Sequence, residues 1–265
     1  MQSTMVQSVF DAHTIWFVFL VSTVFFYLAC EVGFRIGRQR RNKASEIEST
    51  STGIVTGSTL GMVSFLLAFT FSIAATNHSE RRGVVLDEAN AIGTAYLRAD
   101  LLPPEVSAEL KTLLKEYTEI RVAVARENFT IQDYFSTIRA SEGIHNQMWP
   151  LVAQTARRAP SAANALVVAA VNDVIDLHAI RVAVGVRHTI PDTIWIALYF
   201  VSGLALAATG YRFGASFGKR SELLPGMVLS FACIVSLISD LDNPRHGFLL
   251  NDQSPMQELL ASMAG

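Results

Sequence analysis

The chain has 265 residues, 51% hydrophobic and only 17% charged against the ~25% usual for soluble domains, and a formal net charge of −2. That balance gives no basic surface for nucleic acid. Cys30 and Cys233 each lie inside an apolar run and read as membrane-helix residues, not as a disulfide or metal framework.

Four apolar runs dominate: 14–32, 53–75, 193–210 and 223–239. Each approaches the ~20 residues that a helix needs to cross a bilayer, and none has an ionisable residue near its centre. The predicted fold class is therefore all-α: four transmembrane helices, with a helical extramembrane domain inserted between helices two and three. Residues 1–76 form a first membrane hairpin, 77–190 the helical domain, 191–239 a second hairpin and 240–265 a C-terminal tail.

Helix one starts with Thr14-Ile15-Trp16 and ends at Gly33-Phe34-Arg35-Ile36-Gly37. "LAC", ending at Cys30, suggests a lipoprotein processing site. Tyr27 stands where an aliphatic residue belongs, however, and no Lys or Arg precedes the run, so a retained helix is expected. Arg35, Arg38, Arg40, Arg41 and Lys43 then crowd the connection to helix two.

Helix two is unusual in its faces. At 100° per residue, Gly53, Gly57, Gly61, Ser64, Ala68, Ser72 and Ala75 fall within one narrow arc, which suits close approach by another helix. Thr52, Thr56, Thr59, Thr70 and Asn77 form a stripe beside it, interrupted by Val63 and Leu66. Two interpretations stand: a packing helix whose threonines bond their own backbone, or a pore-lining helix with Thr56, Thr59, Val63, Thr70 and Asn77 toward water.

The helical pattern continues past 77 to Pro103. Glu80, Arg81, Arg82, Asp87, Glu88 and Arg98 make no opposite-charge pair three or four apart, although Arg81 and Glu88 share a face two turns apart. Partners from another helix or another subunit are expected, unless these charges simply face water. Val106, Leu110, Leu113, Tyr117, Ile120 and Val124 mark one face of the next helix, opened by two prolines. Residues 131–157 predict a further helix, broken near Gly143 or Pro150. After Pro160 comes a very apolar helix with Asn172, Asp173, Asp176, His178 and Arg181 embedded, groups that need partners. An extramembrane charge network of Glu80, Arg81, Arg82, Asp87, Glu88, Asn90, Arg98, Asp176 and Arg181 is the expectation.

Helix three echoes helix one: Thr193-Ile194-Trp195 at its start and Gly210-Tyr211-Arg212-Phe213-Gly214 at its end. Tryptophan suits one membrane interface and arginine the other, so the echo fits either convergence or duplication of a two-helix hairpin. Either way helices one and three run parallel. Arg212, Lys219 and Arg220 make the second connection basic as well. The positive-inside rule then puts segments 33–52 and 211–222 in the cytoplasm, with the helical domain facing outward.

Enzyme motifs fail on context. Gly214-x-Ser216-x-Gly218 lacks the strand that a nucleophile elbow needs, and no HExxH or CxxC occurs. The segment from Asp240 has Arg245 where a calcium loop needs glycine and Asn251 where it needs glutamate. No catalytic residue, metal site or cofactor is expected.

Glu80-Arg81-Arg82, "EANAIGTAYLRADLLP" at 88–103 and "DLDNPRHG" at 240–247 resemble the bacterial bestrophin-like domain family of four-helix membrane proteins. The resemblance covers nearly the whole chain. It implies kinship with bestrophins, pentameric ion channels mostly for anions, whose second membrane helix lines a narrow apolar neck. On that resemblance Phe65, Phe69 or Phe71 supplies the neck, and Asn77, Arg81 and Glu88 sit where bestrophins carry Asn, Arg and Glu. It also implies a cytoplasmic helical domain, opposite to the charge rule. The functional expectation is a homo-oligomeric channel in the lipid bilayer passing an inorganic ion, with helix two around the pore. The alternative is a membrane-anchored sensing or protein-interaction module that uses the helical domain.

Overall fold

A computed structural model describes residues 2–41, 46–123, 131–187, 189–217, 222–243 and 252–264. Lys43, Val124, His188, Lys219, Arg220 and residues 244–247 of the DLDNPRHG motif lie outside these. Among the described residues every regular element is a helix: α1 (Gln2–Arg40), α2 (Glu46–Arg98), a 3-10 turn (Ala99–Leu101), α3 (Pro104–Ala123), α4 (Ile131–Arg158), α5 (Ala162–Arg187), α6 (Asp192–Ser216), α7 (Leu224–Asp242) and α8 (Ser254–Ser262). The all-α class with four membrane-length apolar helices, in α1, α2, α6 and α7, is the one that the apolar runs predict. The apolar run of α2, residues 53–75, is long enough by itself for a hydrocarbon core of ~30 Å at ~1.5 Å per residue.

The chain divides into two compact units. One comprises Met1–His78 and Thr189–Leu250; the other comprises Ser79–His188 and Asn251–Gly265. Of the segment 240–265, the part from Asn251 thus groups with the helical unit and the part before it with the membrane unit.

In the membrane unit, Phe26, Val63, Leu67, Ala74, Leu198, Leu206, Val228, Ala232, Val235 and Ile238 form the core. Helices α1 and α6 run parallel, because contacts advance along both together: Ser22 Oγ lies 2.7 Å from Tyr199 Oη, and the Phe25 ring 3.1 Å from a Cβ built on Gly203. Further on, the two pentapeptides meet. A Cβ on Gly33 would land on the Ala207 carbonyl, and one on Gly210 on the Cys30 carbonyl. One on Gly37 would strike the Tyr211 carbonyl, and one on Gly214 the Phe34 carbonyl. Each contact has its reciprocal, so the two Gly-x-x-x-Gly segments form one pseudo-two-fold interface.

That contact explains why the helices outrun their predicted ends at 32 and 210. A glycine inside a helix costs ~1 kcal/mol against alanine. Here the missing side chains admit a neighbouring backbone, and the packing gained offsets the loss. The segments expected as connecting loops, 33–52 and 211–222, are accordingly helical as far as Arg40 and Ser216, and α2 begins at Glu46. At the other end Asp242 Oδ1 accepts a hydrogen bond from the Ile190 amide at 2.8 Å, tying the end of α7 to the segment before α6.

In the helical unit, Ile92, Ala95, Leu110, Leu114, Tyr117, Met148, Val171 and Met256 lie in the core. The apolar stripe of α3 faces inward as its periodicity predicts. Helix α4 does not break at Gly143 or Pro150 but passes through both. Pro150 leaves the Asn146 carbonyl without its helical donor, and both residues are exposed. Short α8 joins this core through Met256, while Leu259 closes over Gly93.

Candidate functional site

Two places carry the predicted residues: the membrane part of α2 and a buried polar cluster in the helical unit.

Three residues of the expected pore-lining set on α2 are covered within the chain itself. Thr56, Val63 and Thr70 are 3%, 0% and 2% exposed, turned into the core of their own unit. The physical reason is local. Thr56 Oγ1 donates to the Thr52 carbonyl at 2.8 Å and Thr70 Oγ1 to the Leu66 carbonyl at 2.7 Å, so neither hydroxyl needs water. Thr59, bonded in the same way to Val55, and Asn77 are half-buried. The small-residue arc is the exposed side: Gly57, Gly61, Ser64, Ala68 and Ser72 are open, and a Cβ on Gly57 or Gly61 would meet nothing within 4 Å. No described helix of the same chain packs on Gly57 or Gly61, whereas a Cβ on Gly53 would lie 3.4 Å from the Arg212 guanidinium. Phe65 and Phe69 flank it, 70% and 58% exposed, with their rings stacked at 6.4 Å; Phe71 is 38% exposed.

The polar cluster is built around Glu88, which is fully buried. Arg181 of α5 bonds one carboxylate oxygen. Tyr117 of α3 donates to the other, and Arg121, one turn further along α3, sits 3.2 Å from that same oxygen. Arg181 also donates to Gln253 Oε1 at 2.8 Å, which links α5 to the C-terminal segment. His178 Nδ1 is 3.1 Å from Tyr117 Oη, and His145 of α4 packs against both rings.

Electrostatics follow from this geometry. Burial disfavours an ionised Glu88, but Arg121, Arg181 and the hydrogen bonds from Tyr117 and Arg181 outweigh it and lower its pKa. Burial, then the Glu88 charge, raises the Tyr117 hydroxyl well above its ordinary value, so it stays a donor. Burial pushes both imidazoles down to about 4, and they are neutral at pH 7.

Of the nine residues expected to form a network, the cluster contains Glu88 and Arg181. Arg81 is also buried. Arg98 Nη1 donates to the Leu166 carbonyl at 3.1 Å, and Asp176 accepts from Asn172 at 2.7 Å. Glu80, Arg82, Asp87 and Asn90 are exposed. No sequence motif marks Tyr117, Arg121, His145 or Gln253 as site residues. Tyr117 hides among the apolar positions of α3, and only the Tyr117–Arg121 spacing of one turn hints that a polar edge lies beneath that face. Among the described residues no group of three or more His, Cys, Asp or Glu is placed to hold a metal ion.

Comparison with known proteins fits this architecture. A bacterial bestrophin homologue from Klebsiella pneumoniae, carrying a point substitution, superposes with a TM-score of 0.63 at 14% identity, over 95% of this chain and 99% of that one. A second crystal structure of a bestrophin homologue from that organism gives 0.59 at 14% identity, over 94% and 95%. At that identity the likeness shows the fold. Among curated proteins nothing matches. The model of the bestrophin-like domain matches residues 13–250, nearly the whole chain. This membrane protein therefore belongs to the bestrophin-like domain family.

Proposed function

We propose that the protein is a homo-oligomeric ion channel of bestrophin type, with the membrane part of α2 surrounding the axis. The observation that carries this is the exposed face of α2. Its buried stripe of Thr56, Val63, Thr70 and Ala74 points into its own unit. At ~100° per residue, Ser58, Gly61, Phe65, Ser72 and Thr76 lie roughly opposite. A helix that faces only lipid gains from large apolar side chains along its length. This face alternates small and hydroxyl residues with stacked phenylalanines, which suits a narrow passage with wet segments. Phe65 and Phe69 form the neck in this reading. Thr59 and Asn77 lie about 120° from Phe65 at the same count, nearer the buried stripe, where Thr56, Val63 and Thr70 support the helix from behind.

Cysteine scanning in a background lacking Cys30 and Cys233 tests the assignment. A water-soluble thiol reagent should block flux through Ser58→Cys, Phe65→Cys and Ser72→Cys, and leave Thr56→Cys and Val63→Cys untouched. The reverse pattern would return the pore to the threonine side.

The basic segments 33–52 and 211–222 support a bacterial inner-membrane orientation in which both lie in the cytoplasm and the helical unit lies outside. A reporter at the C-terminus decides it: activity characteristic of the outer side is expected, and cytoplasmic activity would invert the topology.

A further inference from the structure

The cluster around Glu88 has an excess of positive charge waiting on one proton. Facing each other in it are Glu88 from α2, Tyr117 and Arg121 from α3, His145 from α4, and His178 and Arg181 from α5, with neutral Gln253 from the C-terminal segment. One carboxylate serves two guanidiniums. The rings of Tyr117, His145 and His178 pack with centroids 4.8 to 6.0 Å apart and are 0%, 7% and 4% exposed.

The hydrogen-bond directions fix the tautomer of His178. The Tyr117 proton goes to Glu88, so in the 3.1 Å contact the tyrosine oxygen accepts and His178 Nδ1–H donates. His178 Nε2 is then a bare lone pair. It is buried and makes no hydrogen bond, and the same holds for His145 Nε2. A proton on either ring would place a third cation beside Arg121 and Arg181, with a single carboxylate to balance all three.

We propose that the Tyr117–His145–His178 triad is a proton-sensitive catch: proton uptake by either histidine disrupts the Glu88–Arg121–Arg181 set and frees α5 and the C-terminal segment from α2 and α3. This goes beyond the channel reading and does not depend on it, since the catch lies wholly within the helical unit.

The direction with pH follows from the sign of the shift. Both histidines are lowered from 6.5 to about 4, first by burial, with Arg121 adding to it and Glu88 opposing. Their contribution is complete above the unfolded value and is lost as pH falls from about 6.5 toward 4. Glu88, lowered from 4.5, contributes its own loss only below that value, so the window above pH 5 reports the histidines.

Hydrogen exchange on the full-length protein in detergent tests this, with rates corrected for the intrinsic pH dependence. Between pH 7.5 and 5.5, protection of α5 and α8 should fall about 100-fold, about 10-fold for each histidine, while α1 and α6 stay unchanged. His145→Gln and His178→Gln, which keep polarity but cannot titrate there, should each cut the loss to about 10-fold, and the double variant should be flat. Flat protection in the unaltered protein would overturn the proposal. So would a 100-fold loss that persists in both single variants, which decide the matter even if the double variant does not fold.

Discussion

In the membrane unit α1 and α6 meet where side chains are missing; in the helical unit α2, α3 and α5 meet where side chains carry full charges. The difference follows from the solvent of each. Lipid gives helices no hydrophobic reason to associate, so close backbone contact through Gly33, Gly37, Gly210 and Gly214 supplies the dispersion energy. In the helical unit an apolar core already drives association, and the Glu88 cluster adds a demand for completeness: each charge needs the others to remain buried. The first contact should be indifferent to pH and intolerant of volume. The second should tolerate small changes of volume and fail on any change of charge.

The largest expected effect breaks the charged contact. Glu88→Ala leaves Arg121 and Arg181 buried against each other, a loss of about 3–5 kcal/mol. Limited proteolysis should then cut within 79–188 while the membrane unit stays intact; an uncut helical unit would mean that the guanidiniums find other partners. Next, Gly210→Leu must push α1 and α6 apart, at a cost of about 3 kcal/mol. Its thermal unfolding in detergent should drop with no change in pH dependence. Tyr117→Phe removes one hydrogen bond to a buried carboxylate and keeps the ring, so about 2 kcal/mol is expected, read as reduced protection of α3 in hydrogen exchange. Smallest is Gly57→Ala, which meets open space within the chain and gains up to about 1 kcal/mol of helix propensity. A penalty there as large as that of Gly210→Leu would show that something packs on the exposed arc.

The four membrane helices were legible because runs of ~20 apolar residues have few alternatives. The lack of intrahelical partners for Glu88 was also legible in its spacing, and Arg181 of α5 supplies one of the missing charges. Faces were harder. Threonine on a membrane helix looks water-seeking, yet the i−4 carbonyl satisfies Thr56 and Thr70, and the helix buries them. The glycines of GFRIG and GYRFG look like helix exits, because propensity is local whereas the backbone that fills the gap comes from another helix. Tyr117 follows the same logic in reverse: its position in an apolar stripe conceals the hydroxyl at its tip. At Pro150 a break is predicted and α4 instead runs through, with the freed carbonyl on exposed Asn146.

The proposed conduction path is the exposed face of α2. The direct measurement is flux of chloride and of potassium through purified full-length protein in liposomes, with Phe65→Ala compared against the unaltered chain. Passage of at least one of the two ions is expected, with a larger flux when Phe65 is trimmed. A folded, membrane-inserted protein that passes neither ion, with or without Phe65, would contradict it.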